Sequence, residues 1–263
     1  MTSWRIGDIE IRRVDSANFV LPTATPMPDW AVPAFTPSAD ETPIAFSAIV
    51  VRTPSAVVVI DPWLVDEAPR TRPDADVEPL LEALAVAPTD VDVVVLSHVD
   101  GIGWSLRRDG DDWVPTFPRA RYVLPADELA AIDAGAPTNG GEHLGPLRGV
   151  LDAVSAPCEV VPGVTVVDAP GHNPGHFAVR IESGGSLAIY PGHLVLSLLQ
   201  ISDPDGDVGE LDVATAAATR RAILDELAAR RGVLLTTLVG GPGGGAVERD
   251  GRGYRLVPVA AGT

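Results

Sequence analysis

The spacing of apolar positions changes along the chain, and each change predicts an element. Trp4, Ile6, Ile9 and Ile11 alternate around a Gly7-Asp8 turn, the period of one or two short strands. Residues 15–42 interrupt the pattern with Pro22, Pro26, Pro28, Pro33 and Pro37, and read as a long loop that carries Trp30 and Phe35. Loops of that length in a folded domain are usually functional, so this one reads as a lid or an oligomerisation arm. Ala45–Val51 and Ala56–Ile60, either side of Thr53-Pro54-Ser55, predict a hairpin. Val77, Leu80, Leu81 and Leu84 have helical spacing over 77–86. Val91–Leu96, broken only at Asp92, has the β-branched character of a strand buried on both faces. Arg121–Leu124 predicts a strand that leads into a helix opening at Pro125-Ala126-Asp127-Glu128, and a second amphipathic segment covers 144–154.

The second half repeats this style. Strands are expected at 158–161, 164–168, 176–182 and 186–190, then a helix near 210–230 and a strand over Val233–Thr237. Gly240–Gly245 marks a turn before a closing hairpin at 246–258. Strand runs that lead into helices in both halves predict an α/β architecture, two sheets between two helical layers: a four-layer αββα sandwich in a single domain over 1–263.

Composition narrows the function classes. The net charge is −17, which disfavours nucleic acid and anionic membrane surfaces as partners. Every basic side chain apart from histidine is arginine, so lysine Schiff-base chemistry is excluded. Cys158 is the single cysteine, which excludes an internal disulfide and a cysteine-rich zinc site. No apolar run reaches the ~20 residues of a membrane span, and the opening MTSWRIGDIEIRR lacks a signal-peptide core, so a cytoplasmic location is expected.

The five histidines are His98, His143, His172, His176 and His193. His98, His172 and His193 each follow a strand or strand-like segment in a turn rich in Gly or Pro. Strand ends in α/β folds converge on a common mouth, so these three predict a shared site. His176 reads as a packing or capping residue and His143 as an exposed loop residue. Ser97 lacks the Gly-x-Ser-x-Gly elbow of a serine nucleophile, and Gly240–Gly245 lacks the Lys-Ser/Thr of a phosphate loop. Trp63 and Trp104, close after Asp61 and His98, read with Trp30 and Phe35 as an apolar wall for a small organic substrate.

Val58-Val59-Ile60-Asp61, Leu96-Ser97-His98, Ala169-Pro170-Gly171-His172-Asn173-Pro174-Gly175-His176 and Ile189-Tyr190-Pro191-Gly192-His193 together resemble the metallo-β-lactamase superfamily in order and spacing. The resemblance is to its lactonase-like and organophosphate-hydrolase-like branch. It implies the αββα fold, a metal site at the mouth, and a second-sphere role for Asp61. The departures are specific. Where the family carries His-x-His-x-Asp-His, this chain reads His98-Val99-Asp100-Gly101. The family's bridging aspartate corresponds to His193, and its last histidine to Leu238 after Thr237.

Two dications ~3.5 Å apart repel by about 19 kcal/mol at an effective dielectric of ~20, a cost the family offsets with the bridging carboxylate. Without that bridge a two-metal centre is not expected. No metal is the leading expectation, with one zinc or iron on His98, His172 and His193 as the alternative. In the metal-free reading His98, His172 and His193 act with Asp61 and Asp100 in acid–base chemistry. The resemblance thus implies a diverged enzyme acting on a small apolar ester, lactone, thioester or polyketide-like compound. A ligand-binding or partner-pairing pseudoenzyme is the alternative, and a homodimer stays open.

Overall fold

β1 (Thr2–Ile6) folds back on β2 (Ile9–Pro22), and β2 pairs antiparallel with β3 (Glu41–Arg52) throughout, with a bulge between Asp15 and Ala17. The computed structural model describes residues 2–62, 78–99, 103–136, 141–207 and 209–259. The expected loop over 15–42 is therefore strand at both ends: residues 15–22 pair with 41–47. Phe19, Val20 and Leu21 favour the pleated surface, and Pro22 stands at the strand end, where proline is tolerated. Residues 23–40 form the remaining connection, with a 3-10 turn at Asp29–Ala31.

β4 (Val57–Ile60) completes the expected hairpin with β3, and α1 (Glu78–Leu84) matches the helical spacing. β5 (Val93–Val95) runs parallel to β4. A small hairpin of β6 (Leu106–Asp109) and β7 (Asp112–Pro115) follows, then β8 (Arg121–Pro125), α2 (Ala126–Asp133) and β9 (Leu151–Val154). The segment 144–154 is part of a 3-10 stretch, Gly141–Leu147, followed by β9. Gly145, Pro146 and Gly149 disfavour the α-helix that its apolar spacing suggests. The first sheet has the order β1-β2-β3-β4-β5-β8-β9.

The second sheet takes β10 (Cys158–Val161), β11 (Val164–Asp168), β12 (Phe177–Ser183) and β13 (Ser186–Tyr190). After α3 (Leu199–Ser202) and α4 (Val213–Arg230) it is completed by β14 (Val233–Leu235), β15 (Gly244–Asp250) and β16 (Gly253–Val257), all in sequence order. α4 starts where the Asp212 carboxylate accepts the Thr215 amide at 3.1 Å, and ends at Arg231 in the left-handed region, φ 53°. Ala216, Arg220, Leu224 and Leu227 form its buried face. The Arg220 guanidinium is neutralised by buried Glu210 and donates to the carbonyls of Leu194, Pro204 and Gly206.

Three apolar layers separate four structural ones. Ile11, Ile49, Ile60 and Val95 of the first sheet meet Val166, Val179, Tyr190 and Leu235 of the second. Val59, Val94, Tyr122 and Leu124 pack outward against Leu84, Leu144 and Leu147. Ile189, Leu234 and Leu256 pack outward against Leu224, Leu227, Phe35 and Leu198. This is the expected αββα sandwich. Among the described residues no helix is long and apolar enough to cross a membrane.

Candidate metal centre

The strands that carry the expected site residues finish at one end of the sandwich. β5 runs into Leu96-Ser97-His98, with the Leu96 amide still bonded to Val123 O at 2.9 Å. The turn between β11 and β12 is closed by the Ala169 amide on His176 O at 2.9 Å, and it presents His172. Gly171 in that turn has φ 123°, and a Cβ there would lie 2.3 Å from the Ala216 amide nitrogen, so only glycine fits against α4. The Asp212 amide holds Gly171 O at 2.9 Å, which ties the turn to the start of α4. β13 ends at Tyr190, and Pro191-Gly192 delivers His193. The Phe177 amide donates to Ser97 O at 2.9 Å and so joins the two sheets beside the cluster.

The structure brings His98, His172 and His193 together: one donor nitrogen from each lies within 4.8 Å of the others. Their ring centroids are 4.3 to 5.4 Å apart. His98 and His193 are buried and His172 is half-buried, so the cluster reaches solvent on the His172 side. Tetrahedral zinc with bonds of ~2.0–2.1 Å needs nitrogens ~3.4 Å apart, a closure of at most ~1.4 Å that side-chain rotation supplies. Burial, reinforced by His193, His176 and His172, holds the His98 pKa well below 6.5, so at neutral pH its lone pair is available. Three imidazoles with one approachable side fit a single divalent ion. The expectation of a metal-free pocket is not supported.

Asp61 reaches His98 through an intermediary. Its carboxylate accepts the Ser97 amide at 2.7 Å, the Ser97 hydroxyl at 2.5 Å and the Tyr190 hydroxyl at 2.7 Å. Ser97 Oγ in turn lies 3.0 Å from His98 Nδ1. Because the serine proton points to Asp61, Oγ accepts from Nδ1–H, which leaves Nε2 of His98 as the nitrogen that could take a metal. Thr237 Oγ1, 3.1 Å from the Tyr190 hydroxyl, completes the network. Burial raises the Asp61 pKa above the usual carboxylate range, opposed by the Ser97 and Tyr190 donors. Asp61 also holds φ 38°, a left-handed conformation rare outside glycine.

Trp63, Asp100 and Gly101 lie outside the described residues. Trp104 is buried among the apolar side chains outside the first sheet, and its amide bonds to Pro62 O at 2.9 Å. Phe35 is buried in the layer outside the second sheet, and Trp30 packs on it edge-on while its Nε1 donates to Ser202 Oγ at 3.0 Å. These three rings therefore pack within the scaffold layers. The Leu238 carbonyl accepts the Ala45 amide at 3.0 Å, and its side chain offers no ligand atom. Cys158 is free and half-buried.

Two supporting residues carried no functional signal in the sequence. His176 is buried, with Nδ1 2.9 Å from Ala169 O and Nε2 accepting the His193 amide at 3.2 Å. This agrees with its reading as a packing residue and adds a role: it fixes the turn that delivers His193. Glu128 of α2 is buried, with both oxygens on the Val99 amide at 2.9 and 3.0 Å and Oε1 on Asn173 Nδ2 at 3.2 Å.

No family model matches the chain, and no curated protein matches it. Solved structures do match in shape. The chain is 18% identical to the dizinc quorum-quenching lactonase AidC, with a TM-score of 0.77 over 99% of this chain and 98% of that one. It is 18% identical to the hydrolase AbOPH of the β-lactamase superfamily, with a TM-score of 0.76 over 100% and 98%. A probable metal-dependent hydrolase from Staphylococcus aureus aligns at 17% identity and TM-score 0.69 over 98% and 100%. The fold is that of the metallo-β-lactamases.

Proposed function

We propose that the chain is a hydrolase that works with a single divalent metal ion held by His98, His172 and His193. The observation that carries this reading is the convergence of three imidazole donors within 4.8 Å, two buried and one half-buried. When bound, such an ion supplies Lewis acidity, polarising a carbonyl or phosphoryl oxygen and making water acidic enough to react at neutral pH. The protein's own contribution is arrangement. Asp61 fixes the Ser97 hydroxyl, Ser97 holds Nδ1–H of His98, and His176 pins the backbone of His193. His172, the half-buried member, stands where a substrate can approach.

The ligand set read from the sequence supports one ion rather than two. The family's bridging carboxylate corresponds here to His193 and its last histidine to Leu238, and among the described residues this is the one cluster of potential ligands. A neutral imidazole has a single lone pair and carries no charge, so it does not offset the mutual repulsion of two dications as a bridging carboxylate does. A small ester or lactone is the substrate class the neighbouring folds favour, since a quorum-quenching lactonase shares the architecture. The test is a panel of γ-lactones, acyl homoserine lactones and aryl esters assayed with zinc-, manganese- or iron-loaded protein. Turnover that vanishes on chelation and in His193→Ala supports the reading. Turnover unchanged by either defeats it.

A further inference from the structure

We infer that Glu128 is a positioning residue that sets the separation of His98 and His172 by clamping their two turns to one helix end; the inference rests on the metal reading above. The two histidines come from different sheets, His98 after β5 and His172 before β12. Their relative position therefore depends on contacts across the sandwich. Glu128 supplies such a contact at the residue next to each. Both of its oxygens take the amide of Val99, and Oε1 also takes the side-chain amide of Asn173.

The sequence places this carboxylate where it is stabilised. Glu128 is the third residue of α2, and the amides of a helix's first turn favour negative charge. The turn of His172 also seats directly on that helix end. Gly175, at φ 71°, packs so closely that a Cβ would lie 2.9 Å from the Glu128 amide nitrogen. Glu128 is wholly buried and Val99 nearly so, hence water does not compete for the Val99 bonds, while the Asn173 bond is half-buried. A carboxylate suits the task because it only accepts: one group receives a backbone N–H and a side-chain N–H together. Glutamine would turn a donor toward one of those two donors.

The experiment measures zinc affinity by chelator competition, and the visible spectrum of the cobalt form, for the full chain and three variants. Glu128→Gln should weaken zinc binding about tenfold and shift the cobalt bands, as outer-sphere changes commonly do, and Glu128→Ala should weaken it more. Leu84→Ala, a core truncation under the same sheet, supplies comparable or greater loss of Tm and should leave both readouts unchanged. If Glu128→Gln and Glu128→Ala bind zinc within twofold of the parent with the parent's cobalt spectrum, the clamp does not position the histidines. The inference is equally overturned if Leu84→Ala reproduces the same losses, since a general loosening then accounts for them. Failure of the parent chain to bind zinc or cobalt at all would instead remove the metal reading, and the inference with it.

Discussion

His176 Nε2 accepts the backbone amide of His193 at 3.2 Å, so one buried histidine fixes another. The acceptor role of Nε2 places the proton on Nδ1, which donates to Ala169 O at 2.9 Å. Gly192 makes the approach possible: at φ 60°, a Cβ on it would lie 2.3 Å from His176 Nε2. His176→Ala should destabilise the metal-free protein by about 3 kcal/mol, from the cavity and two buried groups that lose their partner. Urea denaturation measures this, and a loss below about 1 kcal/mol would show that the ring does not hold the turn.

Ser97→Ala separates positioning from stability. It removes the hydroxyl between Asp61 and His98 while leaving the Ser97 amide on Asp61. Zinc affinity should fall roughly 10- to 100-fold, whereas the folding free energy should change by about 1–2 kcal/mol. Competition titration and denaturation on the same preparation check the pair of outcomes. Unchanged zinc affinity would show that the Ser97 hydroxyl does not orient His98.

The His172 turn should be intolerant of a side chain at one position. Gly171→Ala puts a methyl group 2.3 Å from a backbone nitrogen of α4 in a conformation, φ 123°, that alanine avoids. A loss of several kcal/mol is expected, on the scale of severe steric and backbone mutations, together with loss of zinc binding. Gly135→Ala, where nothing lies within 4 Å of the added carbon, is the comparison. It carries only the backbone strain of its own φ of 83°, so the difference between the two variants isolates the clash.

Arg13 and Asp15 offer a test of buried charge. The Arg13 guanidinium is buried, with Nε on Ser47 Oγ at 2.8 Å and on Asp15 at 3.0 Å, while its terminal nitrogens meet no hydrogen-bond partner among the described residues. Burial lowers its pKa against the pull of Asp15. Arg13→Met leaves the half-buried Asp15 carboxylate without its cation, held only by the Ser47 hydroxyl at 2.9 Å and the Asn18 amide at 3.2 Å, and should cost about 3 kcal/mol, whereas Arg13→Met with Asp15→Asn should recover part of that loss. A double-mutant cycle measures the coupling, and strictly additive losses would contradict it.

Acid sensitivity has a nameable contributor. The Arg180 hydrogen bonds hold the Glu226 carboxyl below its ordinary 4.5. A carboxyl depressed in the folded state adds stability above its unfolded pKa, and that stability is lost as pH falls through the lower folded value. Both side chains are partly exposed, so the contribution is about 0.5 kcal/mol. Glu226→Gln should lower stability by that amount at pH 7 and narrow the gap to the parent as pH falls below 4.5. A gap that stays constant with pH would assign the loss to packing.

The fold was largely legible because the strands that bury two faces write themselves as continuous apolar runs, Val58–Ile60 and Val93–Leu96 among them. The far half of β2 was hidden by a neighbourhood of prolines that belong to the following connection. The β6–β7 hairpin was hidden because Arg107, Arg108, Asp109, Asp111 and Asp112 give it no apolar alternation. The three histidines were legible from their places after strands. Their supports were not, since Tyr190 meets Asp61 across 129 positions and Glu128 meets Asn173 across 45. Contacts of that range are made by the two sheets closing on each other, and no local spacing records them. Trp104 shows a further limit: closeness in sequence to His98 did not reveal that its ring packs in the layer outside the first sheet.

The central claim is one divalent ion on three histidines. Metal stoichiometry of the zinc-reconstituted, desalted chain, measured by elemental analysis against protein concentration, tests it most directly. One equivalent per chain is expected, falling to near zero in His98→Ala and His172→Ala variants that remain folded. Two equivalents in the parent, or one that persists after both histidines are removed, would contradict it.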